Sequence, residues 1–314
     1  MNLPTRDAIV ATARESIARG SKSFAAASLL FDRKTRERSW LLYAWCRACD
    51  DIADGQDHGH GMTRVDDAPA RLVRLSAMTE AALAGQLVGD AAFDALRIVA
   101  AETAMPPRFA RDLVAGFALD AEEWRPRSED DLYTYCYHVA GVVGCMMAVA
   151  MGVSPEDDAT LDRACDLGMA FQLANIARDI EEDDRVGRCY LPEAWLVEMD
   201  IPPGEHMKPH FRARLAVLAA RLAARAAEFE ASARVGTTAL SFRSAWAVLA
   251  AADIYGAIAR AVAARGEHAW DRRVSTGAAA KLGFIARAAG NAMRRRTLYP
   301  PRPRDADLWT RPRS

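Results

Sequence analysis

An all-α fold is what this sequence predicts, and three observations carry the prediction. Alanine, the best helix former, fills about a fifth of the 314 residues, with arginine and leucine, also good helix formers, abundant beside it. Helix start and stop signals recur along nearly the whole chain. Alternating runs of β-branched residues, the mark of half-buried strands, are nearly absent.

The first helix is expected over residues 5–19, stopping at Gly20 as a C′ residue. A second opens after Asp32 and runs through WLLYAWCRACDDIAD to Gly55. Residues 55–62 (GQDHGHGM) read as a loop because glycine and short polar residues favour turns. Further helices are expected over 69–84, 91–104 and 107–123. Ser128 precedes three acidic residues and should cap a helix through Val149. Ser154-Pro155 repeats the start signal, with proline at the first helical position, for a helix reaching the 180s before Gly187. Then come 211–233, 241–265 ending at Gly266, and a segment capped by Ser275 that ends near Arg296. The tail from Pro300 is proline-rich and basic, and reads as an extended surface segment. No short-period repeat and no dividing linker appears, so residues 1–314 read as a single domain.

Composition excludes several classes. Apolar residues are 51% and the net charge is −1, too apolar and too balanced for a disordered chain. A nucleic-acid binder would carry a basic excess, so no nucleic-acid partner is expected. Six cysteines are too few for a disulfide framework at this length. The apolar run Val139 to Val153 falls short of the roughly 20 residues that cross a bilayer, and the N-terminus shows no secretory h-region. A cytoplasmic globular protein is the expectation.

Two acidic rows carry the chemistry. Asp50 and Asp54 are four apart, so on a helix their carboxylates leave one face a turn apart. Asn175, Asp179 and Asp183 form an i, i+4, i+8 row, with Gln172 a turn earlier on nearly the same face. Like charges at that spacing destabilise a helix by a few tenths of a kcal/mol, and aspartate late in a helix opposes the dipole. Two such rows beside apolar stretches point to a cation between carboxylates. Oxygen-only donors fit Mg²⁺ or Mn²⁺, which bind one or two carboxylates together with substrate phosphates. Taken alone, either row reads as a solvated face. Arg47 lies three residues before Asp50 and is placed to bridge a carboxylate or hold a phosphate. Gly20-Ser21-Lys22-Ser23-Phe24 marks a helix break where hydroxyls, an ammonium and free amides could meet an anion. If a carbocation forms there, as when an allylic diphosphate ionises, it needs an apolar pocket with aromatic faces or tyrosine dipoles. Phe24, Tyr43, Tyr135, Phe171 and Tyr255 fall near the rows; each also reads as an ordinary core aromatic. Cys46 and Cys49 match C-x-x-C but sit within a helix, His138 reads as a packed core residue, and His58, His60, His206 and His210 as exposed loop residues. No Walker loop, G-x-G-x-x-G or G-x-S-x-G occurs.

SKSF (21–24), LYAWCRACDDIAD (42–54), YCYHVAGVVG (135–144), ACDLGMAFQLANIARDIEEDD (164–184) and GRCYLP (187–192) together resemble the squalene/phytoene synthase family of head-to-head prenyl transferases. RSAWA (243–247), AWDRRVST (269–276) and the tail extend the likeness over nearly the whole chain. The resemblance implies an isoprenoid-synthase-type helical bundle around a central cavity. It implies that Asp50, Asp54, Asp179 and Asp183 hold metal and diphosphate, with Gln172 and Asn175 beside them, Asn175 also as a ligand. Ser21, Lys22, Phe24, Tyr43 and Arg47 match substrate contacts. Tyr135, Val139, Ala140, Gly141 and Gly144 match a segment where small residues leave room for a prenyl chain, and Tyr255 matches a C-terminal tyrosine. Ala53 stands where relatives are often bulkier.

The reaction so implied joins two geranylgeranyl diphosphates to phytoene with Mg²⁺ or Mn²⁺ and no NADPH, and leaves any ATP requirement open. A squalene or dehydrosqualene synthase using the fifteen-carbon donor is the alternative within the class; a non-catalytic helical scaffold is the alternative outside it. The prenyl substrate and apolar product lead to an expectation of reversible, peripheral membrane contact. Arg294, Arg295, Arg296, Arg302, Arg304, Arg311 and Arg313 are candidates for anionic headgroups, or simply charges at a helix end and on a solvated tail.

Overall fold

The computed structural model describes residues 4–54, 68–121 and 124–313; the side chains of Lys22, Ser23, Asp54, Ala68 and Ala121 lie outside that description. The loop expected over 55–62, with His58 and His60, also falls outside it. Among the described residues every regular element is helical. They pack as two compact units, one of residues 1–122 with 145–161, the other of 123–144 with 162–314. The grouping follows packing and not chain order.

In the first unit α1 (Arg6–Gly20), α3 (Arg33–Asp54) and α5 (Ala91–Thr103) pack on one another. Ile9, Ala13 and Ile17 of α1 and Leu41, Leu42, Trp45 and Cys49 of α3 are buried. A charged clamp ties the three helices. Arg6 donates to Glu102 at 2.6 Å and to Glu37 at 2.7 Å, and Arg38 reaches the Glu102 carboxylate at 3.1 Å and its carbonyl at 2.8 Å. Asp32 caps α3 as expected, accepting from the Thr35 amide at 3.0 Å. Gly20 differs from expectation. It is the last residue of α1 and not a left-handed C′ residue, and a Cβ there would lie 2.4 Å from the Tyr43 hydroxyl. Its small size therefore serves Tyr43 and not the helix stop. A short α2 (Lys22–Ser28), α4 (Ala68–Leu83) and α6 (Pro107–Ala121) complete the unit's helical frame.

The second unit opens with α7 (Glu129–Cys136). Ser128 and Asp131 cap it reciprocally, at 3.1 and 3.2 Å. The helix continues through a π turn, Tyr137–Gly141, into α8 (Val142–Ala150). The long α9 (Asp158–Arg185) starts later than Ser154-Pro155 predicts. Pro155 and Glu156 lie in a turn, and Asp157 caps the helix through the Thr160 amide at 3.1 Å. The π turn and α9 approach at backbone distance. A Cβ on Gly168 would sit 2.2 Å from the Ala140 carbonyl oxygen, and one on Gly144 would sit 2.2 Å from that of Ala164. After α10 (Glu193–Glu198), the helices α11 (Arg212–Gly236), α12 (Phe242–Arg265), α13 (Ala278–Met293) and α14 (Arg295–Leu298) follow. Ser241, expected as the first helical residue, is the cap of α12, and α13 begins after Gly277 without a side-chain cap, so Ser275 does not serve. Trp246 donates to the Ile285 carbonyl at 2.8 Å and pins α12 to α13.

Two corrections concern polar residues expected at the surface. His206 is 2% exposed and faces Asp184 at 3.4 Å. In the tail, Arg304, Arg311 and Arg313 pair with Asp166 and Asp162 of α9. Arg304 and Arg311 are engaged inside the protein and are not presented to headgroups, whereas Arg313 pairs with Asp162 from an exposed position. Two stretches, Glu129–Ala150 and Phe242–His268, have the length and hydropathy of a membrane span, yet at least half of each apolar window is buried within the protein.

Candidate active site

On α3 the residues that could meet a diphosphate lie on successive turns. Arg47 stands 3.5 Å from the Asp50 carboxylate and 4.0 Å from that of Asp51. Asp51 is the less exposed of the two acids, so facing alone does not separate them as sharply as helical spacing predicts. Tyr43, one turn before Arg47, packs on the Phe24 ring at 5.6 Å. Burial pushes the Tyr43 hydroxyl up in pKa, and the Arg47 guanidinium opposes that shift. Ser21 caps α2 by accepting from the Phe24 amide at 3.2 Å, which uses one of the amides expected to be free for an anion. The roles expected of Lys22 and Asp54 rest on side chains outside the described residues.

On α9 the second row is legible in the burial pattern itself. Leu173, Ala174, Ile176, Ala177 and Ile180 are buried, whereas Phe171, Gln172, Asn175, Arg178, Asp179, Glu182 and Asp183 are half-buried. Asp179 is the centre of charge. Arg273 Nε and Nη2 donate to its Oδ1 at 3.0 and 2.9 Å, and Nη2 reaches Oδ2 at 3.0 Å. Arg178 adds a bond from Nε at 2.6 Å and a second contact from Nη2. Burial alone would raise the Asp179 pKa, but the guanidiniums more than offset it and hold the carboxyl below its usual range. Glu182 is pushed the other way, by burial and by the Asp179 carboxylate.

Aromatic residues flank this row within the same unit. Phe171 and Tyr255 stack at 4.1 Å and 21° beside an alanine-lined crevice formed by α9, α11 and α12. Tyr135 stacks nearly parallel on Trp124 at 5.5 Å and on Tyr190 at 4.8 Å. Val139, Ala140 and Gly141 lie in the π turn; Gly141 is buried against Cys165 and Met169, and Gly144 serves the close approach to Ala164.

The donors fit a hard divalent cation. They are oxygen atoms only, the donor type such a cation takes, and Asp179 is already paired with two guanidiniums that a cation there would have to displace. Among the described residues no three His, Cys, Asp or Glu side chains form a ready-made metal cage. Mg²⁺ needs none, because it completes its shell with water and substrate phosphate. Sequence reasoning quoted the segments holding Arg178, Glu182 and Arg273 but assigned them no role. The only local signal was the pair of adjacent arginines in AWDRRVST; nothing in their spacing points to Asp179, 94 residues earlier.

The squalene/phytoene synthase family model matches residues 17–279. A 15-cis-phytoene synthase of Pantoea ananas is 46% identical over 95% of this chain and 96% of its own length. One from Paracoccus sp. (strain N81106 / MBIC 01143) is 44% identical over 97% and 98%. A dehydrosqualene synthase crystal structure with bound ligand superposes with a TM-score of 0.81 at 25% identity, covering 92% of this chain and 98% of that one. A squalene synthase from Alicyclobacillus acidocaldarius shares the fold at TM-score 0.74, with 23% identity over 83% and 95%. With its aspartate rows on α3 and α9 and an all-helical isoprenoid-synthase fold, the chain belongs to the squalene/phytoene synthase family and is an enzyme of the prenyltransferase type.

Proposed function

We propose that the enzyme condenses two geranylgeranyl diphosphates head to head into phytoene. The carrying observation is α9: between residues 171 and 183 its half-buried face holds carboxylate, amide and guanidinium side chains together, beside buried Leu173, Ala174, Ile176, Ala177 and Ile180. Relatives 44–47% identical, named phytoene synthases, favour the twenty-carbon donor over the fifteen-carbon one. The residues that would hold Mg²⁺ or Mn²⁺ are Asp50 and Asp54 on α3 and Asn175, Asp179 and Asp183 on α9, with Gln172 beside them. Such an ion, when bound, neutralises diphosphate charge and makes it a better leaving group. Arg47 and Arg273 pair with phosphate oxygens.

The allylic C–O bond breaks and its electron pair leaves with diphosphate. The double bond of the second substrate attacks the cation, and loss of a proton closes a cyclopropyl diphosphate. A second C–O cleavage, rearrangement and proton loss give the central triene. Each stage releases one diphosphate and one proton, so no reductant enters and no NADPH is needed. Each unit supplies an aromatic pair whose ring faces suit positive charge, Phe24 with Tyr43 in the first and Phe171 with Tyr255 in the second. Rapid quenching during turnover tests the order of events: the cyclopropyl diphosphate should rise and fall before phytoene accumulates. Hydrocarbon appearing with no such transient counts against it.

The proposal extends to reversible contact with a bilayer, because a hydrocarbon product leaves for water at roughly 0.8 kcal/mol per exposed CH₂. Leu282 and Met293, 68% and 69% exposed, lie with Ala279 and Ala286 along the outer face of α13, followed by exposed Arg294 and Arg296. These features support α13 as a contacting surface. Co-sedimentation with anionic liposomes should fall at high salt and in Leu282→Ser; undiminished binding in that variant contradicts the assignment.

A further inference from the structure

The C-terminal segment after Pro300 has no regular structure, yet buried charges fix it to the second unit. Arg304 donates to both Asp166 oxygens at 2.9 and 2.6 Å, and also to the Leu308 and Trp309 carbonyls at 3.3 and 2.6 Å. It therefore folds the segment around itself while holding α9. Arg311 lies 2.8 Å from Asp162 with its side chain fully buried, and Arg313 reaches the other Asp162 oxygen at 2.6 Å. Arg163 of α9 returns a bond to the Arg302 carbonyl. A guanidinium taken out of water is costly unless well paired, so this strap is not a loosely draped tail.

Its other contacts lead to a different element. Trp309 donates to Asp130 of α7 at 2.9 Å, and its ring meets Tyr137 at 5.7 Å. Tyr137 is 1% exposed and is the first residue of the π turn. The strap thus bridges α9, at Asp162 and Asp166, and the turn that carries Val139, Ala140 and Gly141. Asp166 lies six residues before Gln172, about two-thirds of a turn round the helix, so the strap grips α9 away from its catalytic row. A π turn is rare and is found mostly as a single turn at functional sites. Here it also packs at backbone distance on Gly168.

We propose that the strap is a positioning element: Trp309, anchored by Arg304 and Arg311, holds the π turn in register with α9, and so sets the prenyl-chain wall of the site. The proposal rests on the reading of that turn as part of the substrate site. Trp309→Ala removes the ring and the Asp130 bond, whereas Trp309→Phe keeps a ring on Tyr137. Arg304→Gln releases the anchor. Hydrogen exchange on the full-length protein should show the amides of 137–141 exchanging at least tenfold faster in Trp309→Ala and Arg304→Gln. The amides of α12 should be unaffected, and Trp309→Phe should restore most of the protection.

KM for geranylgeranyl diphosphate should rise several-fold in the first two variants while inorganic pyrophosphate, which has no chain, inhibits as before. Unchanged exchange at 137–141 in both variants overturns the proposal, whatever the activity. So does uniform loosening of the whole unit, which marks a general stabilising tail. A loosened turn with unchanged KM has a separate meaning: the strap contact stands, but the prenyl chain does not lie at the turn.

Discussion

Arg273 closes on Asp179 through three contacts of 2.9 to 3.0 Å, although Arg273 lies 94 residues further along the chain and its side chain is 57% exposed. With Arg178 on the same carboxylate, the acid proposed to hold a divalent cation begins with two guanidiniums as its counter-charge. A metal ion arriving there competes with Arg273, which is exposed enough to turn away towards a phosphate.

Arg273→Ala should therefore strengthen binding of Mg²⁺ alone and weaken turnover, because the same guanidinium is then missing from the diphosphate. Calorimetric titration with Mg²⁺ in the absence of substrate, beside steady-state rates, reads both signs. Weaker Mg²⁺ binding in the variant would show that Arg273 does not compete for Asp179.

Asp179→Asn and Asp50→Asn should each cut turnover by 100-fold or more with the helical circular dichroism retained. Their stabilities should differ. Relief of like-charge repulsion in the row favours the Asn variant by a few tenths of a kcal/mol. Asp179→Asn also strands two guanidiniums, at a cost of about 1 kcal/mol after discounting for the exposed Arg273. Its melting temperature should fall by a few degrees, while that of Asp50→Asn, where Arg47 stands off at 3.5 Å and the side chain is 40% exposed, should hardly move. Equal shifts would contradict the charge arrangement.

Glycines in the second unit should respond by position. A Cβ at Gly168 meets the Ala140 carbonyl at 2.2 Å, and backbone cannot yield cheaply. Gly168→Ala should destabilise by more than about 2 kcal/mol, the scale of overpacking a tight core. Gly283, within α13, has nothing within 4 Å of its Cβ position. There Gly→Ala should stabilise by about 1 kcal/mol through helix propensity alone. Urea unfolding of the two variants decides between these signs.

Acid stability should follow the clamp in the first unit. Arg33 and Arg6 hold the Glu37 carboxyl below its usual range. Burial would raise Glu102, but Arg6 and Arg38 bring it below the usual range as well. Because both folded-state values are depressed, the stabilisation is fully present above the unfolded carboxylate value of about 4.3 and is lost as pH falls through the lower folded values. Glu102→Gln should lower the melting temperature at pH 6, and the gap to the parent protein should narrow towards pH 3. A gap that widens on acidification would reverse the assigned sign.

Much of this was legible in the residues. Ser128 announces its helix because a short hydroxyl side chain followed by acidic residues suits a helix N-terminus, and the chain opens α3 after Asp32 as the sequence suggests. The Asn175, Asp179 and Asp183 row follows from helical spacing alone. What spacing does not carry is partnership across the chain. Nothing local to Gly20 tells that it makes room for Tyr43, and nothing local to His206 tells that it is buried on Asp184. The tail misleads for the same reason: proline and arginine read as solvated until Asp162 and Asp166, some 140 residues earlier, are brought to meet them. The π turn, too, leaves no mark in composition, since its Tyr-His-Val-Ala-Gly run could be α-helical.

The central claim is the joining of two twenty-carbon diphosphates without a reductant. Purified enzyme should be incubated with Mg²⁺ and either geranylgeranyl or farnesyl diphosphate, with and without NADPH, and the hydrocarbon identified by mass and absorption spectrum. The account predicts a forty-carbon conjugated triene from geranylgeranyl diphosphate, formed equally well without NADPH, and little product from the shorter donor. A thirty-carbon hydrocarbon as the main product, or a forty-carbon product only when NADPH is supplied, would contradict it.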